Sequence, residues 1–171
     1  MKWFIKCLKQ YTDFNSRARR SEFWWFTLIN FIISMILFVC WFAPIVKMGF
    51  DPGEVDDMEL FRLTLGSPFL YIYLLYYMAM LIPSIAVTVR RLHDTGRSGF
   101  WYFLFAGGSI LGSVGSMLEE TNIGLFIFLT CVSLAVCIIY LVWMFTDSQP
   151  GDNQWGSNPK KELFVKFEWP D

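Results

Sequence analysis

Long apolar runs separated by short charged segments make up most of this chain. Four of these runs, at 23–42, 68–89, 100–118 and 123–145, contain no charged residue. A helix of about 20 residues crosses the roughly 30 Å hydrocarbon layer of a bilayer. The pattern therefore predicts an all-α membrane protein with four transmembrane helices, organised as a single integral membrane domain over 1–171.

Proline positions and polar turns predict how these helices end and bend. Pro44 lacks the backbone N–H that a helix interior uses, so we expect the first helix to end at Ala43-Pro44. Pro83 is predicted to kink the second helix. The acidic loop over 45–67, with a turn at Asp51-Pro52-Gly53, is predicted to be solvated, because the alternating oxygen ligands of a calcium loop are missing.

The two ends of the chain are predicted to lie at the membrane surface. Within 1–22, lysines at positions 2, 6 and 9 recur on one helix face and apolar residues on another. This predicts an amphipathic helix, either in the headgroup plane or packed on the protein's own surface. The segment 146–171 is rich in turn-forming residues and is predicted to fold back on the same side.

The distribution of lysine and arginine predicts the orientation of the chain. Residues 1–22 hold six of them, 90–99 hold three and the C-terminal tail holds three, whereas the two opposite loops together hold two. Basic residues collect on the cytoplasmic side of inner-membrane proteins. We therefore expect a multi-pass membrane protein with both termini in the cytoplasm.

Composition supports the membrane class and limits the chemistry. Hydrophobic residues make up 55% of the chain, above the 45–50% of ordinary soluble domains. None of the four cysteines forms a C-x-x-C pair, and the chain has one histidine. Zinc sites need more ligands than this. We predict no metal, no cofactor and cysteines that remain reduced thiols.

The polar connection between the second and third helices carries the candidate chemistry. It packs three arginines, the histidine and an aspartate into residues 90–99, and three further arginines precede the first helix. Guanidinium groups offer planar, paired donors that match phosphate and carboxylate. The predicted ligands of an anionic group are Arg17, Arg19, Arg20, Arg90, Arg91, His93 and Arg97. The predicted supporting residues are Glu22, Asp94, Ser98, Asp152 and Asn153.

Several interpretations of this cluster remain open. In one, the arginines only set topology and pair with nearby acids. In another, they bind anionic phospholipid headgroups or a phosphorylated or acidic ligand, as in a non-enzymatic binding or interaction protein. A membrane enzyme using His93, Asp94 and Ser98 is a further alternative, but neighbours on a helix point about 100° apart, so no catalytic residue is predicted.

Small residues in the third helix predict a close helix contact. Gly108, Gly112 and Ser116 recur every four residues, a spacing that lets another helix approach. The contact is either internal or part of a homo-oligomer, and the oligomer would suit a pore or small-solute transporter. The expected partners are the lipid bilayer, anionic phospholipids and further copies of the chain, and not nucleic acid.

The segments 20–26 and 97–103 are similar to each other, which predicts a parallel repeat of two helical hairpins. Three longer motifs carry a family resemblance: RARRSEFW at 17–24, RRLHDTGRSG at 90–99 and PGDNQWGSNP at 150–159. In this order they resemble the bacterial inner-membrane YhaH/YhaI-like family, domain of unknown function eight hundred and five. The resemblance implies a small multi-span inner-membrane protein and no particular activity.

Overall fold

The computed structural model describes residues 2–49, 57–117 and 122–160, and six α-helices make up most of this part of the chain. The helices are α1 (Lys2–Lys9), α2 (Arg20–Gly49), α3 (Asp57–Gly66), α4 (Pro68–Asp94), α5 (Trp101–Met117) and α6 (Ile123–Phe145). Within these residues the β pairing is one isolated bridge between Asn153 and Gly156. The predicted all-α class is confirmed, while the turn at Asp51-Pro52-Gly53 and most of the turn at 119–122 lie outside the described residues.

Three of the described helices are long and apolar enough to cross a membrane. They are the Arg20–Val46 part of α2, all of α4 and all of α6. Helix α5 has 17 described residues, or about 26 Å at 1.5 Å per residue, and residues 118–121 after it lie outside the described ranges. The structure therefore supports a membrane protein with three candidate spans, and a fourth span remains a prediction.

Two helix boundaries differ from the sequence-based expectation. Helix α2 begins at Arg20 and continues through Pro44 to Gly49, so the prediction that Ala43-Pro44 ends it is wrong. Membrane helices tolerate an internal proline where the freed backbone groups find other partners. Part of the predicted loop over 45–67 is also helical, as α3.

Helices α2 and α4 form one hairpin, and α5 and α6 form another, as the predicted repeat requires. The hairpins meet near one end, where Trp24 stacks on Phe145 with ring centroids 4.5 Å apart. We call this end, made of residues 2–22, 90–101 and 146–160, the charged end.

Helix α1 packs against the protein rather than standing free of it. Cys7 is fully buried and Phe4 stacks on Phe26 of α2, while Lys2, Ile5 and Lys9 are exposed. Of the two predicted positions for this helix, the structure shows the contact with its own bundle. The opposite, lysine-bearing face remains available to solvent or headgroups.

The residues after α1 are tied to the proline of α4. Pro83 has no backbone N–H, so the carbonyl of Ala79, four residues earlier, loses its usual helical donor. The Tyr11 hydroxyl donates a hydrogen bond to that carbonyl at 2.6 Å. The link between α1 and α2 is thereby held against the flank of α4.

Glycines allow α5 and α6 to pack closely. The contacts are Gly108 against Val136, Gly112 against Ser133 and Gly115 against Leu129. A Cβ atom on Gly108 would lie only 2.6 Å from Val136 Cγ1. Ser116 is exposed and its hydroxyl donates to the Ser113 carbonyl, and within the chain Gly115 makes the third contact with α6. With 3.6 residues per turn, a contact stripe returns after seven residues rather than eight.

Candidate anion-binding site at the charged end

The charged end collects ten basic and five acidic side chains. Two of the acids, Glu22 and Asp94, are almost completely buried, and each gathers its own basic partners. Helix α4 extends to Asp94, five residues beyond the predicted end of the span, so Arg90 and Arg91 lie on the helix itself. Their side chains are at most 1% exposed, so both arginines point into the protein.

The Asp94 cluster consists of Arg17, Arg91, Asp94 and Ser148. The Asp94 carboxylate accepts hydrogen bonds from Arg17 Nε at 3.2 Å, Arg91 Nη1 at 2.5 Å and Ser148 Oγ at 2.6 Å. Both arginine side chains are at most 1% exposed. One carboxylate thus joins the segment before α2, the end of α4 and the segment after α6.

The tail, residues 146–160, is folded around the Arg17 guanidinium. Its Nη2 donates to the carbonyl of Gln149 and its Nη1 to that of Gly151, both at 2.8 Å. Gly151 and Gly156 have positive φ angles of 75° and 123°, which glycine adopts with little strain. The Gln149 N–H in turn donates to the Asp94 carbonyl at 2.8 Å. The turn-rich motif of the tail therefore serves to present carbonyl oxygens to an arginine.

Helix ends supply the negative charge that the Asp94 cluster lacks. Arg91 donates to the carbonyls of Met144 and Thr146, at the C-terminus of α6. Arg17 Nη2 also approaches the carbonyl of Asp94, at the C-terminus of α4. Each helix C-terminus carries about half a negative charge. One carboxylate and two helix ends together balance two buried arginines.

The Glu22 cluster consists of Lys6, Gln10, Glu22 and Arg90. Arg90 Nη1 donates to Glu22 Oε1 at 3.0 Å and to the Gln10 side chain, and Lys6 Nζ donates to Glu22 Oε2 at 2.8 Å. Burial, and then the charge of Glu22, raise the pKa of the neighbouring Cys7 thiol to about 12. Arg90 Nε and Nη2 have no hydrogen-bond partner among the described residues. The cluster ties α1 to both helices of the first hairpin.

His93 lies under the tail. Its ring stacks on Trp155 with centroids 4.5 Å apart and planes 7° from parallel. Asn153 Nδ2 donates to the His93 carbonyl at 2.9 Å, and the Asp152 carboxylate accepts the backbone N–H of Asn158 at 3.1 Å. Asn153 thus reaches the predicted site with its side chain, which bonds the backbone of His93, whereas this bond of Asp152 shapes the tail.

Arg19 and Arg20 lie at the surface, unlike Arg17. The Arg20 side chain is 44% exposed and pairs with the exposed Asp147 at 2.9 Å. A hydrogen bond from Lys160, and then the Ser148 backbone N–H, lower the pKa of Asp147 to about 2. The Arg19 guanidinium bonds the Pro159 carbonyl and also lies over the ring of Trp3, 5.2 Å from its centroid.

Arg97 occupies the other side of the charged end. Its guanidinium carbon lies 4.4 Å from the centroid of the Trp143 ring, and its Nη1 makes a long bond of 3.4 Å to the Thr95 carbonyl. No carboxylate of the described residues forms an ion pair with it. Ser98 beside it is exposed, and its hydroxyl accepts the Phe100 N–H near the start of α5.

The groups suggested for catalysis are not brought into contact. His93 and Asp94 make no hydrogen bond to each other within the described residues, since the carboxylate is occupied by Arg17, Arg91 and Ser148. Neither does Ser98 contact the imidazole there. The same part of the chain contains no group of three His, Cys, Asp or Glu side chains that could hold a metal ion.

The sequence did not predict the uncharged groups that contribute to the two clusters. Gln10 and Ser148 supply polar side chains, and the tail supplies backbone carbonyls, without any charge that would draw attention to them. The one sequence signal for these carbonyls was the series of turn-forming residues in the tail, where Gly151 and Gly156 permit the carbonyls to converge.

Comparison with known proteins shows the family to which the chain belongs. The family described as "Protein of unknown function (DUF805)" matches residues 11–157. Inner membrane protein YhaI of Escherichia coli (strain K12) is 31% identical over 160 residues, covering 94% of this chain and 97% of that protein. Inner membrane protein YhaH of the same strain is 30% identical over 162 residues, covering 95% and 99%. No solved structure matches. With its apolar helices and its matching motifs, the chain is a membrane protein that belongs to the DUF805 family.

Proposed function

We propose that this protein is a non-enzymatic binding protein of the inner membrane whose charged end, on the cytoplasmic side, binds anionic phospholipid headgroups. The binding groups are five of the six basic side chains of the charged end that lie outside the two buried clusters; the sixth, Lys160, pairs with Asp147 within the tail. We call these five the basic rim: Lys2, Lys9, Arg19, Arg20 and Arg97.

The observation that carries this proposal is the division between buried and accessible arginines. Arg17, Arg90 and Arg91 are buried and have partners within the protein, so an external anion would have to displace those partners. Four of the five rim residues, all except Arg20, have no ion pair within the described residues. Each basic group near an anionic leaflet contributes about 1 kcal/mol of attraction. The interior of the charged end thus acts as a scaffold, and its rim as the binding surface.

The proposal includes the arrangement in the membrane. Helix α5 runs beside α6 along its described length, and both are apolar, which supports α5 as a fourth span. An even number of spans puts both termini on one side, and the excess of basic residues there favours the cytoplasm. The rim would then lie at the level of the inner-leaflet phosphates.

The test is native mass spectrometry of the protein in mild detergent, titrated with phosphatidylglycerol and, separately, with phosphatidylcholine. We expect the wild type to prefer phosphatidylglycerol and Lys2→Gln/Lys9→Gln/Arg19→Gln to lose most of that preference. The matched control is Arg62→Gln, which removes one exposed charge from α3 at the other end of the bundle. Equal preference in all three proteins would refute the binding role. Arg90 and Arg91 are unsuitable for this test because their removal breaks the scaffold.

A further inference from the structure

A crevice in the second hairpin runs along α5 and α6 from Tyr102 and Tyr140 toward Ser109 and Ser133. Its volume is about 410 Å³, within the range of small-molecule sites. Two helical stripes line it, Tyr102, Phe105, Ala106 and Ser109 from α5, and Ser133, Val136, Cys137 and Tyr140 from α6. Each stripe spans eight residues, or about 10 Å along its helix.

The crevice carries hydroxyl groups at both ends and carbon side chains between them. Tyr102, one residue into α5, makes no hydrogen bond through its hydroxyl to another described residue, and an unpaired hydroxyl in an apolar region is unfavourable. Deeper in the crevice, the Ser109 hydroxyl donates to the Phe105 carbonyl of its own helix at 3.2 Å. Phe105, Ala106 and Val136 present only carbon atoms to the space.

A positive charge is connected to the wall of the crevice through one aromatic ring. The Trp143 ring is 4.4 Å from the Arg97 guanidinium carbon and 5.5 Å, between centroids, from the Phe105 ring that lines the crevice. Arg97 has no carboxylate partner in the described chain, so its charge is available to a phosphate. The Tyr102 hydroxyl, a free donor, comes next along the crevice, and the apolar side chains of Phe105, Ala106 and Val136 come after it.

We propose that this crevice is the seat of a single anionic phospholipid. The order of groups, a cation, then a hydroxyl donor, then an apolar slot, matches the phosphate, the ester carbonyl and one acyl chain of a lipid from the adjacent leaflet. This inference rests on the proposed function, because it assigns one member of the basic rim to a defined site. It goes further by placing a chain in the groove beside the contact of α5 with α6, where surface attraction alone would place none.

The first experiment uses phosphatidylglycerol with a photoreactive diazirine in one acyl chain, added to the wild-type protein in detergent and irradiated. Peptide mass spectrometry then maps the attachment. Crosslinks concentrated in 102–109 and 133–140 are expected, and unlabelled phosphatidylglycerol should compete them away. Crosslinks scattered evenly over the exposed faces of α2 and α4 would overturn the proposal.

The second experiment separates this inference from the function on which it rests. Ala106→Phe fills the crevice without changing any charge, and the matched control Leu104→Phe places the same ring on the exposed side of α5. We expect Ala106→Phe to weaken the first phosphatidylglycerol bound in native mass spectrometry at least tenfold, Arg97→Gln to weaken it roughly fivefold, and Leu104→Phe to leave it unchanged.

Three other outcomes each have a defined meaning. If Ala106→Phe behaves like Leu104→Phe while the rim variant still loses its lipid preference, the crevice proposal fails and the proposed function stands. If no variant alters lipid binding, both fail. If the wild type forms lipid-free oligomers that Ala106→Phe dissociates, the crevice is a contact between copies and the lipid proposal is overturned.

Discussion

Replacing Asp94 by asparagine should loosen the whole charged end. The substitution keeps the size of the side chain but removes the negative charge that Arg17 and Arg91 share. Breaking a buried ion pair from one side costs roughly 3–5 kcal/mol, because the remaining charge stays buried. Two helix C-termini still face these arginines, so we expect the lower value, about 3 kcal/mol.

The assay is thermal unfolding in detergent, followed by the fluorescence of the eight tryptophans. For a chain of this size each kcal/mol shifts the apparent Tm by roughly 2–4 °C, so Asp94→Asn should lower it by on the order of 6–12 °C. Asp147→Asn is the matched control. It removes the same charge at the same end from a side chain that is 57% exposed, where ion pairs contribute less than about 1 kcal/mol.

A charge-balanced variant tests the electrostatic reasoning itself. Asp94→Asn/Arg17→Gln removes one positive and one negative charge and leaves Arg91 beside the α6 terminus. It should unfold at a higher temperature than Asp94→Asn alone if uncompensated charge is the cause. A Tm for Asp94→Asn within about 1 °C of that for Asp147→Asn would refute the view that this carboxylate holds the charged end together.

Three further predictions follow from local contacts. Tyr11→Phe should lower the free energy of unfolding by about 1–2 kcal/mol in the wild type. It should have no effect in a Pro83→Ala background, because the helix then supplies its own donor to the Ala79 carbonyl. Equal losses in a double-mutant cycle of Tm values would contradict this. Gly108→Ala should cost about 1–3 kcal/mol by the same assay, whereas Gly107→Ala, with no atom within 4 Å of its new Cβ, should cost nothing. The pKa of Cys7 is raised from 9.0 to about 12, so its thiol contributes stability that is complete below pH 9 and is lost as the pH rises toward 12. The Tm of the wild type should therefore fall more between pH 8 and 10.5 than the Tm of Cys7→Ala. Equal falls in the two proteins would contradict this prediction.

The sequence predicts the helices well and their ends poorly. Uninterrupted apolar runs fix where α4 and α6 lie, since a polar backbone in hydrocarbon must be helical. It does not reveal that α2 passes through Pro44, because that depends on what surrounds the proline. The same limit applies to Ala79, whose missing donor is replaced by a hydroxyl 68 residues away.

The charged end shows the same limit for the candidate site. The motifs identify Arg17, Arg90 and Arg91 as unusual, and arginine chemistry favours an anionic partner for each. Whether that partner is a ligand or the protein itself depends on tertiary contacts, and here the partners are Glu22, Asp94 and backbone carbonyls. Carbonyl oxygens belong to every residue, so composition and spacing cannot indicate which of them will converge on a guanidinium.

The distance along the chain between Arg17 and its partners has a consequence for biogenesis. The Gly151 carbonyl that it binds is made 134 residues later, which at 5–20 residues per second is a delay of roughly 7–27 seconds. During translation Arg17 must remain hydrated or bound to headgroups, and only the emergence of the tail allows it to be buried. The tail therefore completes a structure that begins with Arg17, and a chain cut short before residue 146 would leave the charge of Arg17 without these carbonyl partners.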